Sequence, residues 1–205
     1  GSAFRLTTAK YYTPSGRMIQ RAYNGTDEEY YHGAYDRDEE TSENVEHTSE
    51  ADTTRPEYKT EGGRTVYGGG DITPDYIVKY PRLQEYAATM RAHLFEYVSQ
   101  YMEKHSADLR ATYTKDESQR FCKEFTVSDA MMQSFIEFGK SKGTEFNAED
   151  YETDKGWLTA AVKAQVSRTI FGNEGYFRAI LEVDPQINKA RTLFPEALKI
   201  ARLTR

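Results

Sequence analysis

The sequence predicts an α+β fold: a few β-strands over residues 1–80, then a mostly α-helical domain over residues 81–205. Three observations predict it. Residues 3–12, AFRLTTAKYY, alternate in polarity and are rich in Thr, Tyr and Phe, the habit of a half-buried strand. Glycines at Gly62-Gly63 and Gly68-Gly69-Gly70 punctuate further short β segments. From Pro81 the apolar period lengthens to that of an amphipathic helix.

Taken in order, the first strand spans 3–12 and ends at Thr13-Pro14-Ser15-Gly16, a reversal in which Pro sets φ and Gly tolerates the left-handed region. Met18-Ile19-Gln20 is a short second strand. Residues 24–56 are acidic and polar, with Val45 almost the only aliphatic residue. They cannot bury enough surface to offset their ordering entropy, so they read as an exposed insertion, partly mobile, with Tyr30, Tyr31 and Tyr35 placed to touch the body. EYKT and RTVY, residues 57–60 and 64–67, flank a turn at Glu61-Gly62-Gly63, and Asp75–Val78 makes a last strand.

Beyond Pro81, Leu83, Tyr86, Ala87, Met90, Leu94, Tyr97, Val98 and Tyr101 share one stripe of a helix of about 24 residues that opens at the proline. Thr114-x-x-Glu117 reads as a capping box ahead of Phe121, Cys122 and Phe125. Ser128 caps a helix that Gly143 stops. Asp154 is placed to cap the next helix, which carries Trp157, Leu158, Ala161, Val162, Val166 and Ile170 and ends at Gly172. A shorter helix follows over 175–182. Asp184-Pro185 opens a final stretch that Pro195 kinks or splits.

The net charge of −6 belongs to one segment. Residues 24–57 hold twelve acids and two bases, a balance of −10, and the rest of the chain is +4. No basic stripe with interleaved aromatics is present, so nucleic acid is not an expected partner. No apolar run is long enough for a membrane span, and no signal peptide is visible.

No catalytic constellation emerges from the residues. Cys122 sits in an apolar pattern and reads as a small buried hydrophobe. His32 and His47 lie in the acidic insertion, and His93 and His105 are twelve apart on one helix, so no metal site is expected. Asp36-x-Asp38-x-Glu40 imitates a calcium loop, but Thr41 and His47 stand where that loop needs Gly and Glu. Asn24-Gly25-Thr26 is formally a glycosylation acceptor that chance alone supplies. The Gly68–Gly70 run serves a turn rather than an anion. Lys10 and Ser15 are the remaining temptation, because a neutral Lys can deprotonate a Ser, yet Ser15 belongs to a Pro-Ser-Gly turn. Catalytic, cofactor-binding and metal residues are therefore all expected to be none.

Two stretches carry a resemblance. Arg5-Leu6-Thr7-Thr8-Ala9-Lys10-Tyr11-Tyr12-Thr13-Pro14-Ser15-Gly16-Arg17-x-Ile19-Gln20 and Tyr67-Gly68-Gly69-Gly70-Asp71-Ile72-Thr73-Pro74-Asp75 resemble, in the same order, segments of the carboxy-terminal processing proteases, the tail-specific serine peptidases. The later helices are similar to the family's C-terminal region, more weakly. The resemblance implies exported, periplasmic or envelope-associated enzymes with a PDZ domain and a Ser–Lys pair that cleaves near substrate C-termini. In that family both catalytic residues precede the Leu-Thr-Thr-Ala-Lys motif, so no position here inherits their roles. The expectation is then a C-terminal fragment that is inactive by itself. Its partners are the peptide substrates of the parent, the missing N-terminal core, and further copies in a homo-oligomer. The acidic insertion departs from short members of the family. A stand-alone helical interaction module with an acidic loop is the alternative from another class, and an inactive, chaperone-like peptide binder is a third.

Overall fold

A computed structural model describes residues 2–4, 6, 8–20, 26, 45–46, 56–69, 72 and 74–202. The fold is α+β and dominated by helices. Its strands are β1 (Val45–Glu46), β2 (Glu57–Lys59), β3 (Thr65–Tyr67) and β4 (Tyr76–Ile77). Its helices are α1 (Glu85–Thr112), α2 (Ser118–Glu124), α3 (Asp129–Ser141), α4 (Ala148–Ile180), α5 (Pro185–Thr192) and α6 (Phe194–Arg202). The chain divides into two compact units, one of Gly1–Lys79 with Arg191–Arg205, the other of Tyr80–Ala190. No helix among the described residues is long and apolar enough to cross a membrane.

In the first unit, Gly16 takes φ 82°, its N–H donates to the Thr13 carbonyl at 2.8 Å, and the reversal closes as the sequence requires. The strand expected over 3–12 does not form among the described residues; only the bridge Tyr12↔Met18 remains of it and of the strand at 18–20. A strand exists only where its N–H and C=O groups meet a neighbour, whatever its side chains prefer. The β2–β3 hairpin does form, with Tyr58 opposite Val66 and Gly63 at φ 78° in its turn. Residues 45–46, inside the acidic stretch, supply a strand antiparallel to β4, pairing Val45 with Ile77. The remaining readings of that stretch, including His32, His47, Asp36, Asp38 and Glu40, fall outside the described residues.

The second unit owns the core. α4 lies against α1 and α2, and α1 also meets α3. α1 buries Tyr86, Ala87, Met90, Tyr97, Val98 and Met102; Leu83, Leu94 and Tyr101 of the expected stripe are partly buried against them. Phe121 and Phe135 are fully buried, each contributing roughly 2–3 kcal/mol by apolar burial. Gly139 lets α3 approach α1 so closely that an added Cβ would lie 2.3 Å from the Met90 sulfur. The Tyr97 hydroxyl donates to the Met131 carbonyl at 2.8 Å, so that buried polar atom is satisfied.

Helix ends follow the sequence closely. Ser128 accepts from the Met131 N–H, and Gly143 at φ 86° ends α3. Gly172 (φ 71°, ψ −154°) breaks α4 in a region open essentially to glycine alone. Asp184 accepts the Gln186 and Ile187 N–H groups ahead of α5, and Pro195 falls in the first turn of α6, which begins afresh at Phe194. Two expectations are corrected. α1 starts at Glu85, four residues after Pro81, and α4 is capped by Asn147, whose side chain accepts from Glu149 and Asp150. Asp154 lies inside α4 and caps a different helix.

Candidate functional site

The head of α1 and the α3–α4 connection enclose an open cleft of about 610 Å³, lined among others by Glu85, Tyr86, Thr144, Phe146 and Asp150. Two carboxylates one helical turn apart on α4 hold the head of α1, and of these Asp150 lines the cleft. Asp154, 8% exposed, accepts the Gln84 N–H at 2.6 Å, and Asp150 accepts the Tyr86 N–H at 3.0 Å. The first N–H groups of a helix have no internal partner and lie at its positive end, so these acids satisfy donors and complement the dipole together. The spacing Asp-x-x-x-Asp was the available sequence signal, but it names no recipient. Gln84, the residue that opens α1, contributes no side-chain cap of its own.

Above them stands an aromatic cluster. Tyr86 meets Phe146 edge-on at 5.5 Å and Tyr151 at 6.4 Å. The Tyr86 hydroxyl is buried without a hydrogen-bond partner, and burial pushes its pKa up to about 12. Beside the cleft, His93 Nε2 and Thr144 Oγ1 are 3.0 Å apart, and Phe138 sets its ring edge-on to the imidazole. That distance suits a nucleophile and base, yet a triad also needs an acidic group to orient the imidazole. Among the described residues none is bonded there. The pair ties α1 to the turn after α3.

A second cluster surrounds Cys122, which burial holds as the thiol. The Lys163 ammonium donates to the Cys122 carbonyl and stands 3.7 Å from Glu182. Cys122 lies in the last turn of α2, where carbonyls lack helical partners, so Lys163 acts as a cationic cap rather than as a base for the thiol. The Thr114–Glu117 pair forms in part. The Thr114 N–H and hydroxyl both donate to Glu117 Oε2, and with Arg120 they hold that carboxyl at about 2.

The other sequence candidates are also spent on structure. Ser15 Oγ shares a hydrogen bond of 2.9 Å with Thr13 Oγ1 inside the turn. His105 stacks on Tyr101 at 4.2 Å on the same helix as His93. Gly68 passes so close to Tyr58 that a Cβ would lie 2.7 Å from the ring, which explains one glycine of the run by space alone. Among the described residues no group of His, Cys, Asp or Glu is arranged to hold a metal ion.

Fold and site together define a helix-dominated α+β chain whose helical unit uses charged side chains to terminate helices. A family model described as a family of unknown function (DUF8443) matches residues 85–172, from the first residue of α1 to the glycine that breaks α4. Neither a curated protein nor a solved structure matches the chain.

Proposed function

We propose that this chain is the C-terminal region of a carboxy-terminal processing serine protease, catalytically silent by itself. In the parent, the front unit would complete the catalytic sheet while the helices flank the substrate entry. One observation supports the reading above the others. The two stretches that resemble the family, fifty residues apart in sequence, meet in space: the Arg17 guanidinium donates to the Tyr67 carbonyl at 3.4 Å. Gly16 and Gly68 lie against the same Tyr58 ring. The parent would hydrolyse peptides near their C-termini through a Ser nucleophile and a Lys base preceding Leu6, in the periplasm or cell envelope.

Complementation tests it. The chain is co-expressed with the upstream half of its own coding sequence, and cleavage of a peptide with a free C-terminus is followed. The reading expects no cleavage by either half and cleavage by the pair, with a fluorophosphonate probe labelling only the upstream half. Labelling of a Ser within residues 1–205 would overturn it.

A second reading stands beside it, since the family match covers α1 to α3 and α4 as far as Gly172 and none of the strands. On that reading the helical unit is an interaction module in its own right, and the complementing half would leave it indifferent.

A further inference from the structure

Helix α6 is turned against its own hydrophobicity. Its side chain anchored within the unit is a charged one: the Tyr76 hydroxyl donates to Glu196 Oε2 at 2.6 Å. At 100° per residue, Phe194, Ala197 and Leu198 fall on one face and Glu196 far from it. Phe194 is 66% exposed and Leu198 56%, Ala197 is exposed as well, and only Leu193 and Glu196 in this stretch are partly covered. An ordinary surface helix does the opposite and buries its apolar stripe.

The charge around this stripe narrows what covers it. Residues 185–205 hold five bases and one acid, a balance of +4, although the chain as a whole is −6. Lys199, which follows Leu198 in sequence and lies on the polar side of the helix, is exposed, and so is Arg191 just before the helix. A second copy would set bases against bases. A stripe of two large side chains and a methyl group also covers far less than the roughly 1,000 Å² that a stable protein–protein interface needs. An anionic bilayer requires no shape complementarity. It rewards a modest apolar insertion and a basic flank together, neither of which suffices alone.

We propose that α6 docks on an anionic lipid surface, with Phe194 and Leu198 at the acyl boundary and Lys199 and the neighbouring bases among the headgroups. The inference does not depend on the protease reading. The test is vesicle flotation of the full chain with phosphatidylcholine alone and with added phosphatidylglycerol. The chain is expected to float with the anionic vesicles only, less so as salt rises. Phe194→Ser with Leu198→Ser lowers partitioning about a hundredfold with unchanged circular dichroism. Lys199→Gln, which removes no apolar contact, lowers it about fivefold and keeps the test decisive if the double variant misfolds. Four results would each overturn the proposal: no flotation with anionic vesicles, equal flotation with phosphatidylcholine alone, undiminished binding of the variants, or a dimer in sedimentation that the double variant abolishes.

Discussion

The helical unit and the strand-bearing unit use similar residues to different ends. In the helical unit Phe121 and Phe135 are fully buried, Met90 fits against a glycine, and charged side chains close helix ends. In the strand-bearing unit Phe4 is 92% exposed, Leu6, Tyr11 and Tyr12 stand in solvent, and the named strands are two or three residues long. The contrast is one of partners. A helix satisfies its backbone internally and needs only a core to lie on, whereas a strand needs another strand for every hydrogen bond.

Substitutions of the same kind in the two units should therefore part company most widely. Phe135→Ala is expected to cost about 3–5 kcal/mol in denaturant unfolding, and Phe4→Ala less than about 0.5 kcal/mol. Comparable losses at both sites would erase the contrast. Next in size is Gly172→Ala, which forces a side chain into backbone space open essentially to glycine and should cost about 1–3 kcal/mol. An unchanged melting temperature would mean that the break in α4 relaxes freely.

Asp154→Ala removes an acceptor from the head of α1 and should cost about 0.5–2 kcal/mol. Hydrogen exchange should show the loss concentrated in the first turn of that helix. This cap was not legible beforehand, because a residue spacing on α4 carries no information about which helix will present its N-terminus there. Caps that act within their own segment were legible: Ser128, Gly143, Gly172 and the Asp184-Pro185 pair all perform where their local sequence puts them. Residues 3–12 failed for a related reason. Their alternation describes a face, but no local signal supplies the neighbouring strand. The local roles of the candidate residues are legible in part: Ser15 sits in its turn, while the use of Lys163 as a cap on α2 depends on the packing of α4 and emerges only in three dimensions.

The smallest effects are pH-dependent. The Tyr86 hydroxyl ionises more easily unfolded than folded, so the helical unit should lose stability as pH climbs from about 10 towards 12. Tyr86→Phe should reduce that loss, to which Tyr97, Tyr101 and Tyr151 also contribute, and leave neutral stability unchanged or slightly higher, since it deletes an unpaired buried hydroxyl. A steeper alkaline loss in the variant would contradict the assignment. Glu117 behaves in the opposite sense. Its carboxyl is held at about 2 by Thr114 and Arg120, so its contribution is present above about 4.5 and fades as pH falls through that window. Glu117→Gln should differ from the parent at pH 7 and converge with it near pH 2, as thermal unfolding across that range would reveal.

Amide hydrogen exchange of the full chain tests the central contrast most directly. The account predicts that α1 and α4 are strongly protected, while β2 and β3 exchange quickly. Protection of β2 and β3 equal to that of α1 would contradict it.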